Sequence, residues 1–426
     1  MASRSSVSNP PPNSLEMTEL LSPAGDIEKL ETAFAYGADA VYVGLKDFSL
    51  RARAGNLGHE DIPRMKAARE ACGGKIYGAL NIFFHQNDIE QLESQLHSLA
   101  DYPLDGFIVS DLGAAALLKQ AYPERSLHLS TQANCLNSHT VRVCRDLGFS
   151  RVILGREASI DDIRRIKDAV PEMELEAFVH GAMCMAYSGR CFLSAHLTGR
   201  SANRGDCAHT CRWDYSLALE EKERPGVFFP VAEDENGLSV LSSRDLCMID
   251  HLAQLKDAGI TSFKIEGRMK SLLYVATVTR AYRKALDALT DPAVDWKPYR
   301  DELDKVSHRQ YSTGFFFGSG PVDDALPPVS DSPHNPAPKG YRRGELYIGR
   351  FVCLIKPGIW QIDIRNQIAA GGVLEYVGPD VLSLTDTAYR PLNAQMEAVE
   401  HIDHCQVCYL ATDAPVKPGY LIRRPL

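Results

Sequence analysis

The sequence contains no apolar run approaching the ~18 residues of a membrane-spanning helix, which excludes a helical membrane protein. No secretory signal opens it, so the expected compartment is the cytoplasm. It lacks an excess of positive charge: 46 Lys and Arg stand against 55 Asp and Glu, a formal net charge of −9. Overall charge therefore gives no argument for nucleic acid, and any RNA contact has to use local basic patches. The metallopeptidase pattern HExxH and the serine-hydrolase pattern GxSxG are both missing. So is a glycine-rich dinucleotide fingerprint after the first strand-like run. Cysteine is not scarce: there are eleven. In a chain of this size without an export signal they are expected as reduced thiols, some of them metal ligands, rather than as disulfides.

What is present from Leu20 onward is one repeated pattern. A short apolar run bounded by polar or glycine residues is followed by a stretch with helical period. The runs are Leu20–Gly25, Ala40–Gly44, Lys75–Asn81, Gly106–Asp111, Leu127–Gln132, Arg151–Glu157, Leu175–His180 and Ser262–Gly267. Between them, Ile89, Leu92, Leu96 and Leu99 share one helix face, and Ile160, Ile163 and Val170 share another behind an N-cap at Ser159. Strands alternating with helices predict parallel βα units. Eight such units predict an α/β fold, a (β/α)8 TIM-like barrel.

The flanking segments set the domain limits. Residues 1–17 are polar and rich in Pro and Ser, which predicts a disordered tail. The barrel is expected over residues 18–325, interrupted by an insertion at 181–260 that holds a cysteine cluster, a hairpin-like stretch and a helix near Arg244–Ala258. A long helix is expected over 271–289. Residues 326–339 carry five prolines and read as a linker. Residues 340–426 change to short strands with turns, which predicts a small all-β, barrel-like domain. Lys339, Arg342, Arg343, Arg423 and Arg424 near its ends either contact phosphates or solvate the surface.

Barrels carry their chemistry at the C-terminal ends of the strands. Polar residues gather there: Asn81, Asp111, Ser130, Gln132, Arg156, Glu157, His180, Lys264, Glu266 and Arg268. Singly, each could cap a helix or fill a barrel layer. As a set they predict a polar mouth.

The insertion opens with Cys184, Cys191, Cys207 and Cys211, spaced C-x6-C-x15-C-x3-C. Four thiolates suit structural zinc or a 4Fe–4S cluster. Zinc ribbons carry two close pairs, and only the second pair is close here. The radical-cluster pattern CxxxCxxC is also absent, because Asp214 stands where its third cysteine would be. Spacing alone leaves iron–sulfur, zinc and coincidence open. The remaining cysteines read as small buried hydrophobes, with Cys405 and Cys408 forming a lone CxxC.

Four stretches carry a resemblance: ELLSPAGDIEKLETAFAYGADAVYVG, EAFVHGAMCMAYSGRCFLS, GDCAHTCRW and FKIEGRMKS. Across residues 18–320 the chain resembles the collagenase-like peptidase family U32. Members with this layout are RNA hydroxylases and oxygen-independent hydroxylases of ubiquinone precursors. The resemblance is strongest to a bacterial branch, with a comparable C-terminal β domain, that converts uridine 34 of the tRNA anticodon to 5-hydroxyuridine in a prephenate-dependent reaction. It implies a 4Fe–4S cluster on Cys184, Cys191, Cys207 and Cys211. Cys247 stands in reserve, since members do not all place the fourth ligand alike. Prephenate would be the co-substrate, the tRNA anticodon arm the partner, and an accessory protein is allowed.

On that reading, Arg51, Arg53, Arg156, Lys264 and Arg268 are the cations for a dicarboxylate, because a guanidinium grips a carboxylate through two hydrogen bonds. The competing reading pairs Arg156 and Arg268 with Glu157 and Glu266. Asn81 and Gln132 complete the substrate set. His180 is the candidate proton shuttle and Glu266 the candidate general base. Phe83 or Tyr187 would stack on a flipped base. The alternatives are a ubiquinone-precursor hydroxylase and a zinc-stabilised peptidase or binding module.

Overall fold

A computed structural model describes residues 18–46, 56–184, 191, 193–200, 202, 207–213, 232–234, 237–239, 244–318, 344–403 and 407–426. The tail 1–17, the linker 326–339, Arg51, Arg53, Tyr187, Lys339, Arg342, Arg343 and Cys405 lie outside the described residues, as does much of the insertion.

The apolar runs fold as strands because each is short and apolar with glycine or polar breaks, and most are rich in β-branched or aromatic residues. They are β1 (Glu19–Ala24), β2 (Ala40–Gly44), β3 (Lys75–Leu80), β4 (Gly106–Val109), β5 (Ser126–Leu129), β6 (Arg151–Ile153) and β7 (Glu174–Ala182). A hairpin, β8 (Ala232–Asp234) and β9 (Gly237–Ser239), and the short β10 (Asp245–Cys247) precede β11 (Ile260–Ile265). Strands β1–β7 and β11 pair in parallel, and β11 bonds both β1 and β7, so the ring closes. The observed architecture is therefore the expected eight-stranded TIM-like barrel.

Helices α1 (Ile27–Ala35), α2 (Ile62–Cys72), α3 (Gln86–Gln95), α4 (Leu112–Ala121), α5 (Ser138–Asp146) and α6 (Ile160–Ala169) follow the first six strands in turn. Their starts are fixed by side-chain caps: Asp26, Asp111, Asn137 and Ser159 each accept a bond from a backbone amide of the first turn. Ser159 and Asp162 form a reciprocal capping box. Asp111 is thus explained as a cap, and Ser130 caps the short turn after β5 in the same way.

The insertion contains α7 (Leu193–Thr198) and ends at β10. Here the sequence expectation needs correction. Arg244–Ala258 is not one helix. Its start is β10, which runs antiparallel to the end of β7, with Cys247 opposite His180. Only α8 (Leu252–Asp257) is α-helical. The nine-residue β7 outruns its neighbours, and its free edge offers a three-residue strand a partner that local periodicity cannot reveal. After β11 comes the buried α9 (Leu272–Asp287), then α10 (Lys297–Asp301) and β12 (Tyr311–Ser312), which pairs with β10.

The C-terminal unit holds β13 (Glu345–Lys356), β14 (Ile359–Ile364), β15 (Ile368–Ala369), β16 (Leu374–Val377), β17 (Leu384–Asp386), β18 (Arg390–Leu392), β19 (His401–Ile402), β20 (Cys408–Ala411) and β21 (Leu421–Pro425). Seven of these make an antiparallel half-barrel in the order β17-β16-β21-β13-β14-β20-β18. Ile348, Phe351, Trp360, Tyr376, Leu410 and Ile422 give it a core of its own. It is welded to the barrel by buried charge. Arg423, fully buried, bonds Glu302 at 2.5 and 3.1 Å and Glu375 at 2.6 and 3.0 Å. Arg423 therefore neither contacts phosphate nor solvates the surface.

Candidate active site

The C-terminal ends of the barrel strands surround a recess. Seven of the residues singled out from sequence line it: Asn81 beyond β3, Ser130 and Gln132 beyond β5, Arg156 beyond β6, Lys264 on β11, and Glu266 and Arg268 just after it. Tyr42 on β2 and Phe178 on β7, which sequence reasoning missed, complete the walls. Three cations face one carboxylate among these lining residues, so the recess favours an anionic guest.

Each cation is held against an aromatic face. The Arg156 guanidinium carbon lies 4.0 Å from the Phe178 ring centre. Lys264 Nζ lies 4.5 Å from the Tyr42 ring and 5.3 Å from Phe178. Arg268 lies 5.8 Å from the Tyr42 ring. Such stacking orients a cation without consuming its hydrogen-bond donors. Arg156 Nη2 also meets Glu266 Oε2 at 3.5 Å, so the competing reading of an ion pair is realised for Arg156, though with Glu266 rather than Glu157. Gln132 Oε1 is buried in the recess without a protein hydrogen-bond partner, an acceptor left for a guest.

Backbone packing fixes this rim. A Cβ at Gly25 would stand 2.1 Å from the Arg268 carbonyl oxygen, so only glycine lets the chain after β11 pass there. Gly181, at φ +107°, is also closely approached, with the Glu266 carbonyl oxygen 2.6 Å from its would-be Cβ.

Beneath the recess the barrel interior is charged. Glu19, Arg151, Glu176 and Lys264 are buried together. Arg151 Nη1 bonds Glu19 Oε1 at 2.5 Å and Glu176 Oε2 at 3.1 Å, and Lys264 Nζ donates to Glu176 Oε1 at 2.7 Å. Tyr77 and Ser262 add hydroxyl donors to Glu19, each at 2.8 Å. Burial pulls the Lys264 ammonium below the usual lysine range, and the Glu176 charge opposes that pull. Burial pushes the Glu19 carboxyl up, but the Arg151 charge and the hydrogen bonds outweigh it and hold Glu19 below its ordinary value. A sequence signal for this network did exist: polar residues stand inside otherwise apolar strand runs.

His180 is not brought to the recess. It is buried against Tyr274, Tyr282 and Tyr311, with ring centres at 6.0, 5.4 and 5.3 Å. The Tyr282 hydroxyl donates to the Val179 carbonyl at 2.8 Å, so its oxygen can only accept from His180 Nδ1 at 3.3 Å. Burial pushes the imidazole down to about 3, so it is neutral at physiological pH. Phe83 is half-buried and does not line the recess.

The cysteines follow the β7 end. Cys184 is exposed two residues beyond β7, while Cys191, Cys207 and Cys211 are half-buried around α7 and the turn Thr210–Arg212. Ala208 N donates to Ser194 Oγ at 2.9 Å, tying that turn to α7. The His209 amide donates to Cys207 Sγ at 3.4 Å, the kind of bond that supports a thiolate ligand. The donor set of four cysteines suits a four-iron cluster. Among the described residues no three His, Cys, Asp or Glu side chains are gathered as ligands of a single metal ion. Cys247, the reserve, lies opposite His180, 3.9 Å from the Tyr282 hydroxyl, and burial raises its thiol to about 11. Among the described residues no helix is long and apolar enough to cross a membrane.

The family model for peptidase family U32 matches residues 25–325. The chain is 42% identical over 417 residues to tRNA hydroxylation protein P1 of Bacillus subtilis, covering 95% of this chain and 94% of that one. It is 34% identical over 404 residues to tRNA hydroxylation protein P of Escherichia coli, covering 85% and 86%. It is also 32% identical over 381 residues to a protein of Porphyromonas gingivalis named collagenase, covering 85% and 86%. With a family-model match over residues 25–325 and relatives that share most of both chains, the protein belongs to peptidase family U32.

Proposed function

We propose that the protein is an RNA hydroxylase that converts uridine 34 of the tRNA anticodon to 5-hydroxyuridine, with prephenate as co-substrate and a 4Fe–4S cluster as cofactor. The observation that carries this reading is the cationic recess at the barrel mouth in a chain whose relatives are named for tRNA hydroxylation. Prephenate is a dicarboxylate, and Arg156, Lys264 and Arg268 supply the donors it needs. The amides of Asn81 and Gln132 suit the imide edge of a flipped uracil, and Tyr42 and Phe178 suit its faces. Glu266, at the rim, is the candidate base. A neutral, enclosed His180 fits a supporting role for the β7–β10 corner better than proton shuttling at the recess.

Cys184, Cys191, Cys207 and Cys211 would hold the cluster, with Cys247 as the substitute for Cys211. Such a cluster supplies one-electron transfer when bound. A tRNA substrate places the work in the cytoplasm, and the β domain beside the barrel would grip the anticodon arm, with or without an accessory protein.

A second reading, peptidase, is favoured by the relative named collagenase. The described lining of the recess contains no His and no Cys, so a Ser–His or Cys–His pair has no place there. Anaerobic purification separates the readings. A brown protein whose colour and tRNA hydroxylation both vanish in Cys191→Ala supports the proposal. A colourless protein with stoichiometric zinc and peptide-cleaving activity overturns it.

A further inference from the structure

Glu176 is fully buried, and both of its oxygens are engaged. Oε1 accepts from Lys264 Nζ at 2.7 Å and Oε2 accepts from Arg151 Nη1 at 3.1 Å, while the Ser262 hydroxyl, which donates to Glu19, lies 3.3 Å from Oε2. Burial strips this carboxylate of its hydration, and the two cations compensate for that loss. The converse holds for Lys264. Its ammonium is buried, and an isolated buried ammonium sheds its proton. Arg151, by contrast, stays charged in any surroundings. The titratable partner of Glu176 is therefore Lys264, the one member of the buried quartet that also lines the recess.

We propose that Glu176 is a positioning residue: it keeps Lys264 charged and fixes its ammonium at the floor of the recess, as the donor for one carboxylate of the substrate. An ammonium has three N–H donors. One goes to Glu176, and the rings of Tyr42 and Phe178 flank the head group where it meets the recess. The inference rests on the proposal that the recess takes an organic dicarboxylate, and it assigns the contact that would otherwise be lost to desolvation. Other charged groups facing Lys264 bear on its ionisation too. Glu266 supports the charged form, while Arg151 opposes it. Arg156 and Arg268 at the recess also oppose it, and so does His128 if protonated, although burial and the neighbouring cations hold His128 neutral. With Glu176 neutralised, the cations outnumber the remaining carboxylates around Lys264, and its proton is released at a lower pH.

The test is calorimetric titration of the full-length protein with prephenate across the range from about pH 6.5 to about pH 9, between the histidine and lysine reference values. The wild type is expected to bind with little pH dependence. Glu176→Gln is expected to bind about tenfold or more weakly at the alkaline end, the equivalent of a one-unit shift, and to recover as the pH falls. Glu176→Asp, which keeps the charge, should restore most of the affinity and guards against a misfolded Gln variant. Lys264→Met should bind weakly at every pH. If the wild type binds and both Glu176 variants match it at all pH values, or if the Gln variant loses affinity uniformly, the positioning role is wrong. A wild type that does not bind prephenate overturns the dicarboxylate reading itself, and with it this use of Lys264.

Discussion

Lys264 and His180 are both buried bases, and the structure treats them in opposite ways. Lys264 is given a carboxylate and stays at the recess; His180 is given tyrosines and becomes neutral. The depressed His180 value makes a pH prediction. Unfolded, the ring takes a proton near about 6.5; folded, it resists to about 3. Between those values the unfolded state binds more protons, so stability falls as the pH falls, by up to ~1.4 kcal/mol per unit from this residue. His180→Gln should flatten that slope in urea unfolding between about pH 6.5 and about pH 4; an unchanged slope would show that His180 does not titrate as described. At the recess, Arg156→Ala and Arg268→Ala should each raise the KM for prephenate by about 10- to 100-fold, the worth of a charge-assisted hydrogen bond. Arg156 and Arg268 were legible from their place at strand ends. Glu176 was not singled out, because a glutamate inside LEAFVH declares its partners only when β6, β7 and β11 are side by side.

At the scale of elements, the barrel strands were legible to within about two residues at their starts because each is a self-contained apolar run, whereas the ends of β5 and β6 were read into the polar rim beyond them. The β10 strand was not: its pairing with β7 is non-local, and three residues carry no period. That corner is held by Gly181, whose positive φ and close approach to the Glu266 carbonyl admit no side chain. Gly181→Ala should cost about 1–3 kcal/mol through backbone strain. It should also displace Glu266, so activity should fall further than the loss of folded protein accounts for. Thermal unfolding and steady-state kinetics on the same sample read both effects.

For the whole molecule, the composition change after residue 340 marked the second domain, but how it docks was hidden. Arg423 looked like a terminal surface cation; its partners Glu302 and Glu375 come from two domains. Arg280 adds bonds to the carbonyls of Gly378 and Leu382, and the Tyr36 hydroxyl donates to Val377 at 2.8 Å. Glu302→Ala leaves Arg423 and Arg280 short of counter-charge, and breaking such a buried pair costs about 3–5 kcal/mol. It should lower the melting temperature and split the unfolding transition in calorimetry. A single transition at the wild-type temperature would contradict the seam described.

The proposed function places RNA hydroxylation at the recess lined by Arg156, Lys264 and Arg268. The most direct measurement is mass spectrometry of tRNA nucleosides from a strain lacking this gene and any redundant enzyme, complemented in turn by the wild type and Arg156→Ala. The account predicts loss of 5-hydroxyuridine and its derivatives on deletion, restored by the wild type and not by Arg156→Ala. An unchanged nucleoside profile in the deletion strain would contradict it.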